Sequence, residues 1–63
     1  MRANKLQVKI NNDWKYVFCR NHLVQQPIVT DSYYKALHGT IQSLTYFTNY
    51  YSEYNFRISN EYL

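Results

Sequence analysis

Residues 4–10 alternate Leu6, Val8 and Ile10 with Lys5, Gln7 and Lys9, and a period of two marks a strand with one buried face. Asn11, Asn12 and Asp13 follow directly. Their side chains bond to their own backbone and tolerate left-handed conformations, so the cluster reads as a turn. Residues 14–20 are rich in aromatic and β-branched side chains and read as a second strand folded back on the first. This hairpin constrains the chain more than any other feature, because turn length decides which side chains of the two strands share a face.

A three-residue turn sets Ile10 opposite Trp14, Val8 opposite Tyr16 and Leu6 opposite Phe18. It gathers the most apolar area under a covering element, at about 25 cal/mol per Å², and is the register expected on that ground. Its cost is Lys9 directly opposite Lys15. A two-residue turn, at Asn11-Asn12 or Asn12-Asp13, exchanges the faces. Leu6, Val8 and Ile10 then join Lys15, Val17 and Cys19, and the other face becomes Lys5, Lys9, Trp14, Tyr16, Phe18 and Arg20. Such a face suits stacked single-stranded bases with cations reaching phosphates, or the aromatic anchors of a protein partner.

Residues 21–26 have no period and read as loop. Pro27 confines the short apolar run 27–30 to an edge strand or a strand start. Thr30 or Asp31 can cap a helix, and Tyr34, Leu37, Ile41, Leu44, Phe47 or Thr48, and Tyr51 recur at helical spacing. The spacing predicts one helix over 32–52. Gly39 inside it costs about 1 kcal/mol relative to alanine and offers the alternative of a split, with Thr40 capping the second piece. Tyr54, Phe56 and Ile58 alternate with Asn55, Arg57 and Ser59 as a last strand, and the final four residues are expected to fray. The expected fold is one α+β domain over 1–63. A small, mostly antiparallel sheet in ββ(β)αβ order carries one long helix packed on one face.

A chain of 63 residues buries only about 60% of the surface its unfolded form exposes, and its single cysteine, Cys19, leaves no disulfide within the chain. A protein partner or a second copy is the remaining source of extra stability. One unpaired cysteine and no apolar leader fit a soluble protein of the cytoplasm, and no apolar run approaches the length that spans a bilayer. Arg2, Lys5, Lys9, Lys15 and Arg20 face only Asp13 in the first twenty residues, a local positive region that attracts phosphates or acidic protein surfaces.

Cys19 and His22 have the spacing of half a zinc site, with His38 and Asp31 as conceivable additions. A structural site needs four ligands, usually several thiolates, so no metal is expected. Cys19 with His22 or His38 lacks a helix N-terminus or oxyanion arrangement that would activate the thiol. No pair of carboxylates is spaced for acid–base work, and one glycine builds no phosphate-cradling loop. The chain reads as a non-enzyme without cofactors.

What stands out is aromatic content: 19% of residues, eight of them tyrosine. Tyr33, Tyr46, Tyr50 and Tyr54 lie beside the apolar stripe, and Tyr46 and Tyr50, four apart, form an aromatic ridge if exposed together. The expected function is a small non-catalytic protein-interaction module, a homodimer or a modulator bound to a larger protein through those tyrosines. Small bacterial and phage accessory proteins have this character. The alternative is single-stranded nucleic-acid binding through Lys5, Lys9, Trp14, Tyr16 and Arg20.

Overall fold

The structure, a computed structural model, describes residues 2–19 and 25–62, with side chains at 4–19 and 25–59. Four strands, β1 (Arg2–Ile10), β2 (Asp13–Cys19), β3 (Ile28–Thr30) and β4 (Phe56–Tyr62), form one sheet in the order β3-β2-β1-β4. Every pairing is antiparallel. Among the described residues one α-helix, α1 (Ile41–Tyr50), lies between β3 and β4 in sequence, after one 3-10 turn at Tyr33–Lys35. The fold is a small α+β sheet with one helix, in the expected element order. As Pro27 requires, β3 is an edge strand and begins just after it. The C-terminal strand runs on to Tyr62, which pairs with Arg2, so three of the four residues expected to fray have sheet backbone; Leu63 lies outside the described residues.

The hairpin turn holds two residues, not three. Asn11 and Asn12 both adopt positive φ, 50° and 69°. That is the backbone a two-residue turn needs to match the twist of its strands, and asparagine accepts it readily. Ile10 therefore pairs with Asp13, Lys9 with Trp14 and Val8 with Lys15. The three-residue register expected from apolar area is overturned, and Trp14 and Tyr16 leave the helix side of the sheet. They are not needed there, because α1 covers one short stretch of sheet that Leu6, Val8 and Val17 fill.

Below Gln7 the arms of the hairpin diverge, and the chain re-enters the gap. Leu37 donates its N–H to the Val17 carbonyl at 2.9 Å and accepts from the Leu6 N–H at 3.1 Å, bonding to both arms. Lys5 and His38 form an antiparallel bridge, and the Gly39 N–H donates to the Asn4 carbonyl at 3.0 Å. This wedge satisfies backbone groups that the fork would leave bare. It also carries the chain from one face of the sheet to the other. Tyr33, just before it, packs edge-on against Tyr16 at 5.9 Å, whereas α1, just after it, sits on Leu6 and Val8.

Gly39 is thus a close-approach residue rather than a helical one. A Cβ there would stand 2.8 Å from the carbonyl carbon and oxygen of Lys5 and 2.9 Å from Ile58 Cγ2. The single helix expected over 32–52 is accordingly replaced by the split form. Thr40 is the N-cap, its Oγ1 accepting from the Ser43 N–H at 3.0 Å. Tyr34, whose spacing fitted the helical stripe, is instead 86% exposed.

The core is Leu6, Val8, Val17, Phe47 and Tyr51, with Ile10, Leu37, Leu44, Tyr46, Tyr54 and Phe56 packed around it. Aromatic residues at positions four apart build two parallel tiers along α1. Phe47 stacks on Tyr51 at 6.1 Å in the buried tier, and Tyr46 on Tyr50 at 6.0 Å in the outer one. Burial pushes the Tyr51 phenol pKa above its ordinary value, with the neighbouring phenols of Tyr50 and Tyr46 and the Cys19 thiol adding to it.

Candidate functional site

Two surfaces carry the residues singled out in the sequence, one on each side of the sheet. On the helix side the Tyr46–Tyr50 stack is nearly coplanar, 13° between rings. Tyr50 is exposed and Tyr46 half-buried. Tyr50 also meets Tyr51 at 4.7 Å, so the outer ring rests on a buried one and is held in place. Beside the stack runs an open groove lined by Leu37, His38, Gln42, Ser43, Tyr46 and Phe47. Its floor is apolar, its rim polar. Ile41, at the first turn of the helix, is 73% exposed.

The four tyrosines proposed as one surface do not come together. Tyr54 packs edge-on against Tyr51 at 6.4 Å and belongs to the core margin. Tyr33 lies across the sheet, 5.9 Å from Tyr16 and 5.5 Å from Tyr34, on the other side of the wedge. Only Tyr46 and Tyr50 form the ridge.

On the helix-free side the two-residue turn brings Lys5, Lys9, Trp14 and Tyr16 to one face, as the nucleic-acid reading needs; Arg20 lies outside the described residues. Trp14 is half-buried rather than buried. The Lys9 ammonium lies 5.9 Å from its ring centroid, and the Arg57 guanidinium only 4.1 Å. Arg57, expected only as a polar position of the last strand, joins this site. It reaches Trp14 because β1 separates β2 from β4, and Gln7, between them, accepts from Arg57 Nε at 2.7 Å. That bond also satisfies the Gln7 amide oxygen, in a residue only 7% exposed.

Part of this face is covered. The Lys5 ammonium donates to the Ala36 carbonyl at 3.4 Å and sits 5.0 Å from the Tyr33 ring. Tyr16 lies under Tyr33. What stays open is Lys9, the Trp14–Arg57 pair and, further along β2, Phe18, 41% exposed. Lys15 contributes nothing here: it has the parity of the helix side and pairs with Asp31 at 3.4 Å, an exposed contact of small energetic weight.

Cys19 is a free, half-buried thiol at the end of β2. His22, its proposed companion, lies outside the described residues. Among the described residues no three of His, Cys, Asp and Glu gather where they could hold a metal ion, and no helix is long and apolar enough to cross a membrane. No protein-family model, curated protein or solved structure matches the chain.

Proposed function

We propose that this chain is a non-catalytic protein-interaction module that binds a larger protein through the outer face of α1. The observation that carries the reading is the Tyr46–Tyr50 stack. A large apolar surface, already rigid and standing partly in water beside an apolar-floored groove, loses little entropy when a partner covers it. Tyrosine is the residue type such surfaces favour, since its body packs and its hydroxyl stays hydrated.

Photo-crosslinking tests this directly. A photoreactive residue in place of Gln42, in the groove rim, is expected to give one discrete adduct in a lysate of the native cell. The same residue in place of Asn12, at the hairpin turn, gives none. Tyr50→Ala in the crosslinking chain is expected to reduce the adduct about tenfold, as loss of a central aromatic anchor does. Equal labelling from positions 42 and 12, or an adduct indifferent to Tyr50→Ala, counts against the helix face.

The observed hairpin register supports a second reading, single-stranded nucleic-acid binding on the helix-free face. Trp14 offers an aromatic ring flanked by Lys9 and Arg57, the combination that stacks a base while cations reach phosphate. Oligonucleotide at about 50 mM salt is then expected to quench Trp14 emission, with the effect fading as salt rises. Unchanged emission under those conditions removes this reading and leaves the first intact.

A further inference from the structure

The Arg57 guanidinium is held at two places although the residue is exposed. Its Nε donates to Gln7 Oε1 at 2.7 Å, and its centre stands 4.1 Å from the Trp14 ring centroid. Both supports are themselves fixed in the sheet. Gln7 is buried on β1, and Trp14 is half-buried on β2. One arginine of β4 is thus gripped by side chains from the two strands beside it.

A guanidinium is a rigid planar fork of N–H donors. The bond to Gln7 uses the donor on Nε, and those on the terminal nitrogens have no acceptor among the described residues. Lys9 adds a second positive charge. It is exposed, stands directly across from Trp14 in the β1–β2 pairing, and sends its ammonium to 5.9 Å from the same ring. Lys15, on the helix side, has Asp31 beside it, whereas neither Lys9 nor Arg57 has a carboxylate partner among the described residues. Two like charges over one ring repel each other, and an anion between them relieves the repulsion. Because the fork is already fixed, little ordering is left to oppose binding.

We infer that Arg57 and Lys9 form an anion site for a single phosphate group, with Trp14 and Gln7 holding the guanidinium in the orientation that receives it. A carboxylate also matches the fork, but Arg57 alone uses both of its oxygens. A phosphate has oxygens left over for Lys9. Gln7 and Trp14 act as positioning residues. The inference deepens the nucleic-acid reading above and rests on it for the source of the phosphate, a single strand; a free phosphate compound shares the same chemistry.

Anisotropy of a labelled oligothymidylate of about 10 nucleotides, titrated with the intact chain from about 50 mM salt upward, tests the inference. Arg57→Gln is expected to weaken binding about tenfold or more, and to lessen the slope of log affinity against log salt by about 0.7, the share of one phosphate contact. Lys15→Gln removes the same charge from the opposite face and is expected to change neither. Arg57→Lys restores the slope but not the affinity, since an ammonium keeps the charge and loses the fork. Gln7→Met, which keeps every charge and loses the acceptor, is expected to lower affinity severalfold at an unchanged slope. If these variants fail to fold by circular dichroism, the Arg57 Nε–H resonance of the wild-type chain carries the test. Inorganic phosphate is expected to shift it, and chloride at equal ionic strength is not. A phosphate-induced shift without any oligothymidylate binding supports the site, removes the nucleic-acid reading, and leaves free phosphate compounds as the source. Equal losses in Arg57→Gln and Lys15→Gln, wild-type affinity in Arg57→Lys, or a resonance indifferent to phosphate overturns the inference. Oligothymidylate binding that survives folded Arg57→Gln overturns it too and leaves the nucleic-acid reading standing.

Discussion

Gly39→Ala is expected to unfold a large fraction of the protein, with a loss of about 3 kcal/mol or more. The added methyl has no room: two of its three nearest neighbours are backbone atoms of Lys5, both at 2.8 Å. A flexible side chain gives way at little cost, whereas here β1 itself must move. Moving it pulls Asn4 and Leu6 from their bonds to Gly39 and Leu37, so the methyl and the wedge compete for one space. A domain of this length has only ~3–9 kcal/mol of total stability. Urea denaturation followed by Trp14 emission measures the effect. A variant whose midpoint matches wild type within error would show that the wedge does not sit this tightly in the fork. The φ of Gly39 is not in the left-handed range, so space alone, not backbone preference, decides the result.

Phe47→Ala is expected to cost about 3–5 kcal/mol, the range for emptying a buried phenylalanine site. Phe47 is 2% exposed, belongs to the core cluster and meets three aromatic rings: Tyr51 at 6.1 Å, Phe56 at 5.7 Å and Tyr46 at 5.4 Å between ring centroids. Its removal also unseats the outer tier of tyrosines. Tyr50→Ala, on the exposed tier, is the matched comparison and should cost about 1 kcal/mol or less, as surface changes usually do. Thermal or urea unfolding of the pair separates the tiers. Equal losses would mean that the two rows are equally buried, and a negligible loss in Phe47→Ala would mean that α1 is not what closes the core.

The strands were legible because each is written locally. Alternation in residues 4–10 and 54–59 and the aromatic run after the turn need no knowledge of the rest of the chain. The turn was legible in kind but not in length. Two consecutive asparagines are well suited to two consecutive left-handed residues, and that local chemistry prevailed over the larger apolar area of the other register. The helix was half-legible. From Leu44 onward the stripe is covered, and the Thr40 cap marks the start of the helix, whereas Tyr34 and Ile41 share the spacing yet are exposed, and Leu37 packs on the core from outside the helix. The reason for Gly39 is a contact with Lys5 and Ile58, thirty-four residues upstream and nineteen downstream, which no local pattern encodes.

The same distinction runs through the candidate sites. Tyr46 and Tyr50 share a helix, so their stacking follows from spacing alone. Lys9 and Trp14 depend on one turn. Arg57 joins Trp14 only through the pairing of both β2 and β4 with β1. Nothing in residues 32–40 announces that the chain passes through the sheet, so Tyr33 shares the pattern of the helical tyrosines yet lies on the other face.

That β1 pairs with β4 sets the pace at which this protein can assemble. From Val8 with Phe56 to Arg2 with Tyr62, the paired residues lie 48 to 60 positions apart, so the central pairing of the sheet closes nearly the largest loop the described chain allows. Entropy is spent on that closure before its hydrogen bonds form, which places such a sheet among slow folders for its size. While that loop is open β1 lacks its partner along one side, and intermolecular strand pairing competes with the native one.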